Sequence, residues 1–135
     1  MTPLNILKQL FHWVDYSIPD PGTLGNINND QSFGVVELTI AAAATEYRYL
    51  PAPTKSGLRV TITVGNLGAA GTAKVSLGAP NDSSATVPAY TVDGTNKYAT
   101  FSGYGQQVTL ISIPASATLY KWSLLVNQGA SLSAS

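Results

Sequence analysis

From Gly34 onward the chain alternates. Val36, Leu38 and Ile40 are separated by Glu37 and Thr39, and Leu58, Val60, Ile62 and Val64 by Arg59, Thr61 and Thr63. A period of two belongs to strands with one face buried and the other wet. The same reading places further strands at residues 46–50, 72–77, 86–92, 97–102, 107–113 and 119–127, about eight in all. Turn formers separate them at residues 51–53, 65–71, 78–82, 93–94, 103–105 and 114–116. Short, regularly spaced strands with Gly and Pro between them lead to an all-β fold, expected here as an antiparallel, jelly-roll-like β-sandwich. Val60 and Ile62 should be buried with Trp122 and Leu124.

Two details refine this expectation. Along residues 107–113 the apolar set moves from Val108 and Leu110 to Ile111 and Ile113, which predicts either a bulge near Leu110 or a strand covered on both faces. Asp93-Gly94 is a hairpin signal, and Gly103-Tyr104-Gly105 makes a second tight link, so three consecutive strands should form a meander.

The stretch before Gly34 is different. Leu4, Leu7, Leu10, Phe11 and Val14 recur at helical spacing after Thr2-Pro3, predicting a short amphipathic helix over residues 4–16. Residues 17–32 are rich in Pro, Gly, Asn and Asp without a period and read as an extended arm or linker. The division expected is an arm at 1–33, dispensable for folding, and a sandwich domain at 34–135. The N-terminus lacks a positive n-region and a long apolar run, so no signal peptide is expected. No stretch approaches the roughly 20 apolar residues of a membrane-spanning helix.

Charge narrows the function. Seven Lys and Arg balance seven Asp and Glu, and together they make up 10% of 135 residues, against roughly 25% in an average soluble domain. Affinity for phosphates rises with the number of cations that displace counterions, so neither a nucleic acid nor an acidic membrane is an expected partner. Without Cys there is no disulfide framework.

Titratable groups are also too few and too scattered for a reactive site. His12 is the only His and has no Cys or acidic cluster at ligand spacing. Asp15, Asp20 and Asp30 are five and ten residues apart, which does not match a compact calcium loop. Serines are plentiful, yet Gly-x-Ser-x-Gly is absent and only one His is present to act as base. No catalytic set, metal or cofactor is therefore expected. Aromatics are the best recognition candidates: Tyr47, Tyr49, Tyr90, Tyr98, Tyr104, Tyr120 and Trp122 lie in or beside expected strands. Tyr47 and Tyr49 share one face, as a core, a subunit interface or a sugar-stacking platform requires.

Residues 45–60, 99–113 and 119–133 resemble small structural proteins of tailed bacteriophages. The likeness lies in the aromatic, charged strand Tyr47-Arg48-Tyr49, the turn from Pro53 to Gly57, the Trp122 strand and the tail Gly129-Ala130-Ser131-Leu132-Ser133. The resemblance implies a capsid cement or decoration protein: a homo-oligomer, expected as a homotrimer, that binds the major capsid protein on the outer surface of the virion after synthesis in the host cytoplasm. On that reading Leu7, Phe11, Trp13, Val14, Tyr47 and Tyr49 would contact the capsid or neighbouring subunits. The alternative is a receptor- or glycan-binding head or tail-fibre domain, which needs an exposed aromatic or polar pocket.

Overall fold

The computed structural model describes residues 16–28, 33–68, 70–79 and 90–135. Among them are ten strands and no helix: β1 (Tyr16–Ile18), β2 (Gly25–Asn26), β3 (Phe33–Ile40), β4 (Thr45–Pro51), β5 (Arg59–Leu67), β6 (Thr72–Ala79), β7 (Tyr98–Phe101), β8 (Gln107–Pro114), β9 (Tyr120–Gln128) and β10 (Ser131–Ser133). They form two five-stranded sheets, a first in the order β1-β3-β5-β8-β9 and a second in the order β10-β7-β6-β4-β2. The helix expected over residues 4–16 lies outside the described residues except for Tyr16, which begins β1.

The sheets are mixed, not antiparallel as expected. From β1 to β6 the chain crosses to the opposite sheet after every strand, so each return to a sheet runs in the direction of the previous visit. β1, β3 and β5 are therefore mutually parallel, as are β2, β4 and β6. Only β7 to β10 add antiparallel pairs. Period-two patterning is the same for either direction when one face is buried, so the alternation carried no information on this point.

The expected meander is also corrected. Of its first strand, residues 86–89 lie outside the described residues and residues 90–92 are not in a strand. The Asp93-Gly94 turn is formed: the Asp93 carboxylate accepts the Thr95 and Asn96 N–H groups at 3.0 and 2.7 Å, and Gly94 has φ +90°. The Gly103-Tyr104-Gly105 link, however, carries the chain from β7 in the second sheet to β8 in the first.

The core lies between the inner faces. Val36, Leu38, Ile40, Val60, Ile62, Val108 and Leu110 of the first sheet meet Leu50, Ala73, Val75, Leu77, Ala99 and Phe101 of the second, each at most 1% exposed. Trp122 is buried and Leu124 packs against the same cluster, as the alternation requires. The Trp122 indole N–H donates to the Pro51 carbonyl at 2.8 Å, joining β9 to the end of β4 across the sandwich. Residues 16–28, expected as part of an arm, give each sheet an edge strand and bury Ile18 and Ile27 in the core.

The irregularity expected near Leu110 is a register shift in the β8–β9 pair. Leu110 lies opposite Leu124 and Thr109 opposite Val126, so the extra residue is Leu125 on β9. β8 keeps its alternation through Ser112. Beyond the bulge, Leu125 and Val126 are exposed.

Candidate functional site

β4 divides its side chains between two environments. Leu50 faces the core with Glu46 and Arg48, so Tyr47 and Tyr49 project from the outer face of the second sheet. Register then builds a row across all five strands: Asn26 beside Tyr49, Tyr49 beside Ser76, Ser76 beside Tyr98 and Tyr98 beside Ser133. The adjacent row sets Tyr47 beside Lys74 and Lys74 beside Thr100.

Between these rows lies a pocket of about 210 Å³, lined by Tyr47, Tyr49, Lys74, Ser76 and Tyr98 and completed by Arg48 and Ser135. Tyr47 is 41% exposed, whereas Tyr49 and Ser76 are only 2% and 3% exposed. The Lys74 ammonium stands 4.6 Å from the centroid of the Tyr98 ring, a cation–π contact. Burial, and secondarily the Tyr49 phenol nearby, push the Tyr98 phenol above its ordinary pKa, keeping it a proton donor. The Tyr49 hydroxyl, the Ser76 hydroxyl and the Asn26 side-chain carbonyl are buried without a hydrogen-bond partner among the described residues. A buried polar group left unpaired costs about 1–3 kcal/mol, so three in one row are unusual.

The inward half of β4 carries charge. The Arg48 guanidinium, 1% exposed, donates from Nε to Asp20 Oδ1 at 2.6 Å and from Nη2 to Asp20 Oδ2, Glu46 Oε1 and the Thr39 carbonyl at 3.1, 3.2 and 3.0 Å. Glu46 also accepts the Ala41 and Ala42 N–H groups at 2.7 and 2.8 Å and the Thr23 hydroxyl at 2.9 Å. Asp20 accepts the Thr39 and Gly22 N–H groups. These bonds tie the β1–β2 and β3–β4 connections to β4. Burial works to raise the Asp20 pKa but is outweighed by hydrogen bonds from Arg48, Thr39 and Gly22, and the carboxyl is held below its usual range. Glu46 is lowered chiefly by the Ala42 N–H, against the opposing effect of burial. The Asp20 carboxylate, weighed above as a calcium ligand, is thus committed to Arg48; Asp15, Asp30 and His12 lie outside the described residues.

The outer face of the first sheet is rich in β-branched residues. One row runs Val35, Thr61, Thr109, Val126, and the next runs Phe33, Arg59, Ile111, Ser123. The Thr61 and Thr109 hydroxyls are 2.9 Å apart, and the Arg59 guanidinium lies 4.7 Å from the Phe33 ring centroid. At the sheet edge, Leu119, Leu125 and Val126 are 53%, 55% and 45% exposed.

Of the residues singled out from sequence, Tyr47 and Tyr49 meet in the pocket, where they are joined by Tyr98. Leu7, Phe11, Trp13 and Val14 lie outside the described residues. Trp122 belongs to the core, and the Tyr104 hydroxyl accepts the Leu67 N–H at 2.9 Å. Lys74 and Ser76 gave no sequence signal; they matter because β4 pairs with β6 in register. Comparison with known proteins returned no matching family model, curated protein or solved structure.

Proposed function

We propose that the chain is a structural protein of a tailed-bacteriophage particle, a capsid cement or decoration protein that binds the major capsid protein as a homotrimer on the outer surface of the head. The observation that carries this reading is the outer face of the first sheet. Its rows of Val35, Thr61, Thr109 and Val126 and of Phe33, Arg59, Ile111 and Ser123 run to an edge where Leu119, Leu125 and Val126 are exposed. Exposed apolar side chains grouped at one edge mark protein contacts. On a repeating lattice, weak contacts from several linked copies add to tight attachment. The jelly-roll-like description belongs to this proposal; it is supported by the passage between sheets after nearly every strand and departs from the type in the parallel β3–β5 and β4–β6 pairs.

The test is co-sedimentation of purified protein with capsids assembled from the major capsid protein of the same phage. Saturable binding is expected, weakened about tenfold or more by Val126→Lys or Thr109→Glu, each of which desolvates a charge at the contact. Analytical ultracentrifugation should give a trimer. A monomer that leaves the capsids bare would overturn the reading.

The second reading, a receptor- or glycan-binding domain of a head or tail fibre, is favoured by one feature, the tyrosine-lined pocket on the second sheet.

A further inference from the structure

We infer that the pocket on the outer face of the second sheet is a binding site for a single pyranose ring, the terminal sugar of a glycan. At about 210 Å³ it is smaller than the roughly 300–1,000 Å³ of sites for drug-sized ligands, so one ring is the appropriate size. Its walls include tyrosines 47, 49 and 98, of which Tyr47, 41% exposed, offers aromatic surface to the C–H face of a pyranose. Its polar groups are the second, independent observation. The Tyr49 and Ser76 side chains line it and are at least 97% buried, and their hydroxyls have no partner among the described residues. A ring carrying hydroxyls on its edge and C–H groups on its face supplies partners for both groups and apolar contact for the walls. A phosphate or simple anion fits less well, because the Lys74 ammonium already lies against the Tyr98 ring and an anion has no apolar face for the tyrosines.

This inference rests on the glycan-binding reading and is independent of capsid attachment through the first sheet; its failure leaves the co-sedimentation result unaffected. The test is an NMR titration of the full chain with the methyl pyranosides of glucose, galactose, N-acetylglucosamine and glucuronic acid, with a nucleoside as a flat-ring control. At least one pyranoside should give saturable shifts confined to Tyr47, Tyr49, Lys74, Ser76 and Tyr98. Affinity should fall about tenfold in Tyr49→Phe and in Ser76→Ala, each of which removes one hydrogen-bonding hydroxyl with little change in shape. If Tyr49→Phe does not fold, Ser76→Ala decides alone. Absence of saturable shifts with all four pyranosides overturns the site. So does tighter binding of the nucleoside, or sugar binding unchanged by loss of the hydroxyls, which would mean that water alone satisfies them.

Discussion

Burying a guanidinium costs several kcal/mol unless its donors are matched, and Arg48 is matched by Asp20, Glu46 and the Thr39 carbonyl. Removing one partner leaves a buried charge partly uncompensated. Asp20→Asn should therefore destabilise the fold by about 3 kcal/mol, read from urea unfolding followed by tryptophan fluorescence. The pH dependence has a definite sign. Asp20 and Glu46 both have folded-state pKa values below their ordinary ones, so the unfolded chain binds more protons as acid is added. Their stabilisation is complete above about pH 5 and is lost as pH falls through the ordinary carboxylate range and then through the folded values. A double variant, Asp20→Asn with Glu46→Gln, should flatten the acid limb of a stability–pH curve; an unchanged slope would show that other carboxylates set it. In the apolar core the expectation is simpler. Ile62, fully buried in the centre of β5, should cost about 2–5 kcal/mol when changed to Ala, through lost transfer energy and the cavity left behind.

Strand identity and strand partnership have different origins. The β5 alternation was legible because a half-buried strand imposes its period on the residues themselves. The partners of β5, parallel β3 and antiparallel β8, depend on where the connections go. One connection shows how tight such a crossing is. A Cβ at Gly71 would collide with the Ala42 carbonyl oxygen and lie 2.8 Å from that of Ala44, so the β5–β6 connection runs directly against the β3–β4 connection. The obstacles are backbone atoms and cannot rotate away. Gly71→Ala should cost about 1–3 kcal/mol by thermal melting, as over-packing does elsewhere. A melting temperature equal to that of the unmodified protein would show that the two connections separate easily. Amide exchange should rank the elements by their place in the sheets. β5, flanked on both sides, should exchange at the global rate, whereas the three-residue β10 and two-residue β2, both edges, should exchange first.

For the molecule as a whole, residues 16–28 matter more than their composition suggests. They supply an edge strand to each sheet, two core isoleucines and the principal carboxylate partner of Arg48. A chain lacking residues 1–28 should unfold at a lower urea concentration than Asp20→Asn, or lose its cooperative transition altogether. Stability equal to that of the full chain would restore the view of this segment as a dispensable arm. Its turn-rich sequence has no period because β1 and β2 are only three and two residues long, too short for alternation to register. Local alternation accounts for the all-β class, most strand positions, the face each long strand turns inward and the burial of Trp122 in the same core as β5, since each follows from a local period of two and from the advantage of burying one face. Only the tertiary structure decided that the chain changes sheets after each of its first five strands, that β4 lies beside β6, and hence that Tyr47 and Tyr49 share a pocket with Lys74, Ser76 and Tyr98. Direction and register between distant strands come from the path of the connections and the packing of two layers, and no period within a single strand encodes them.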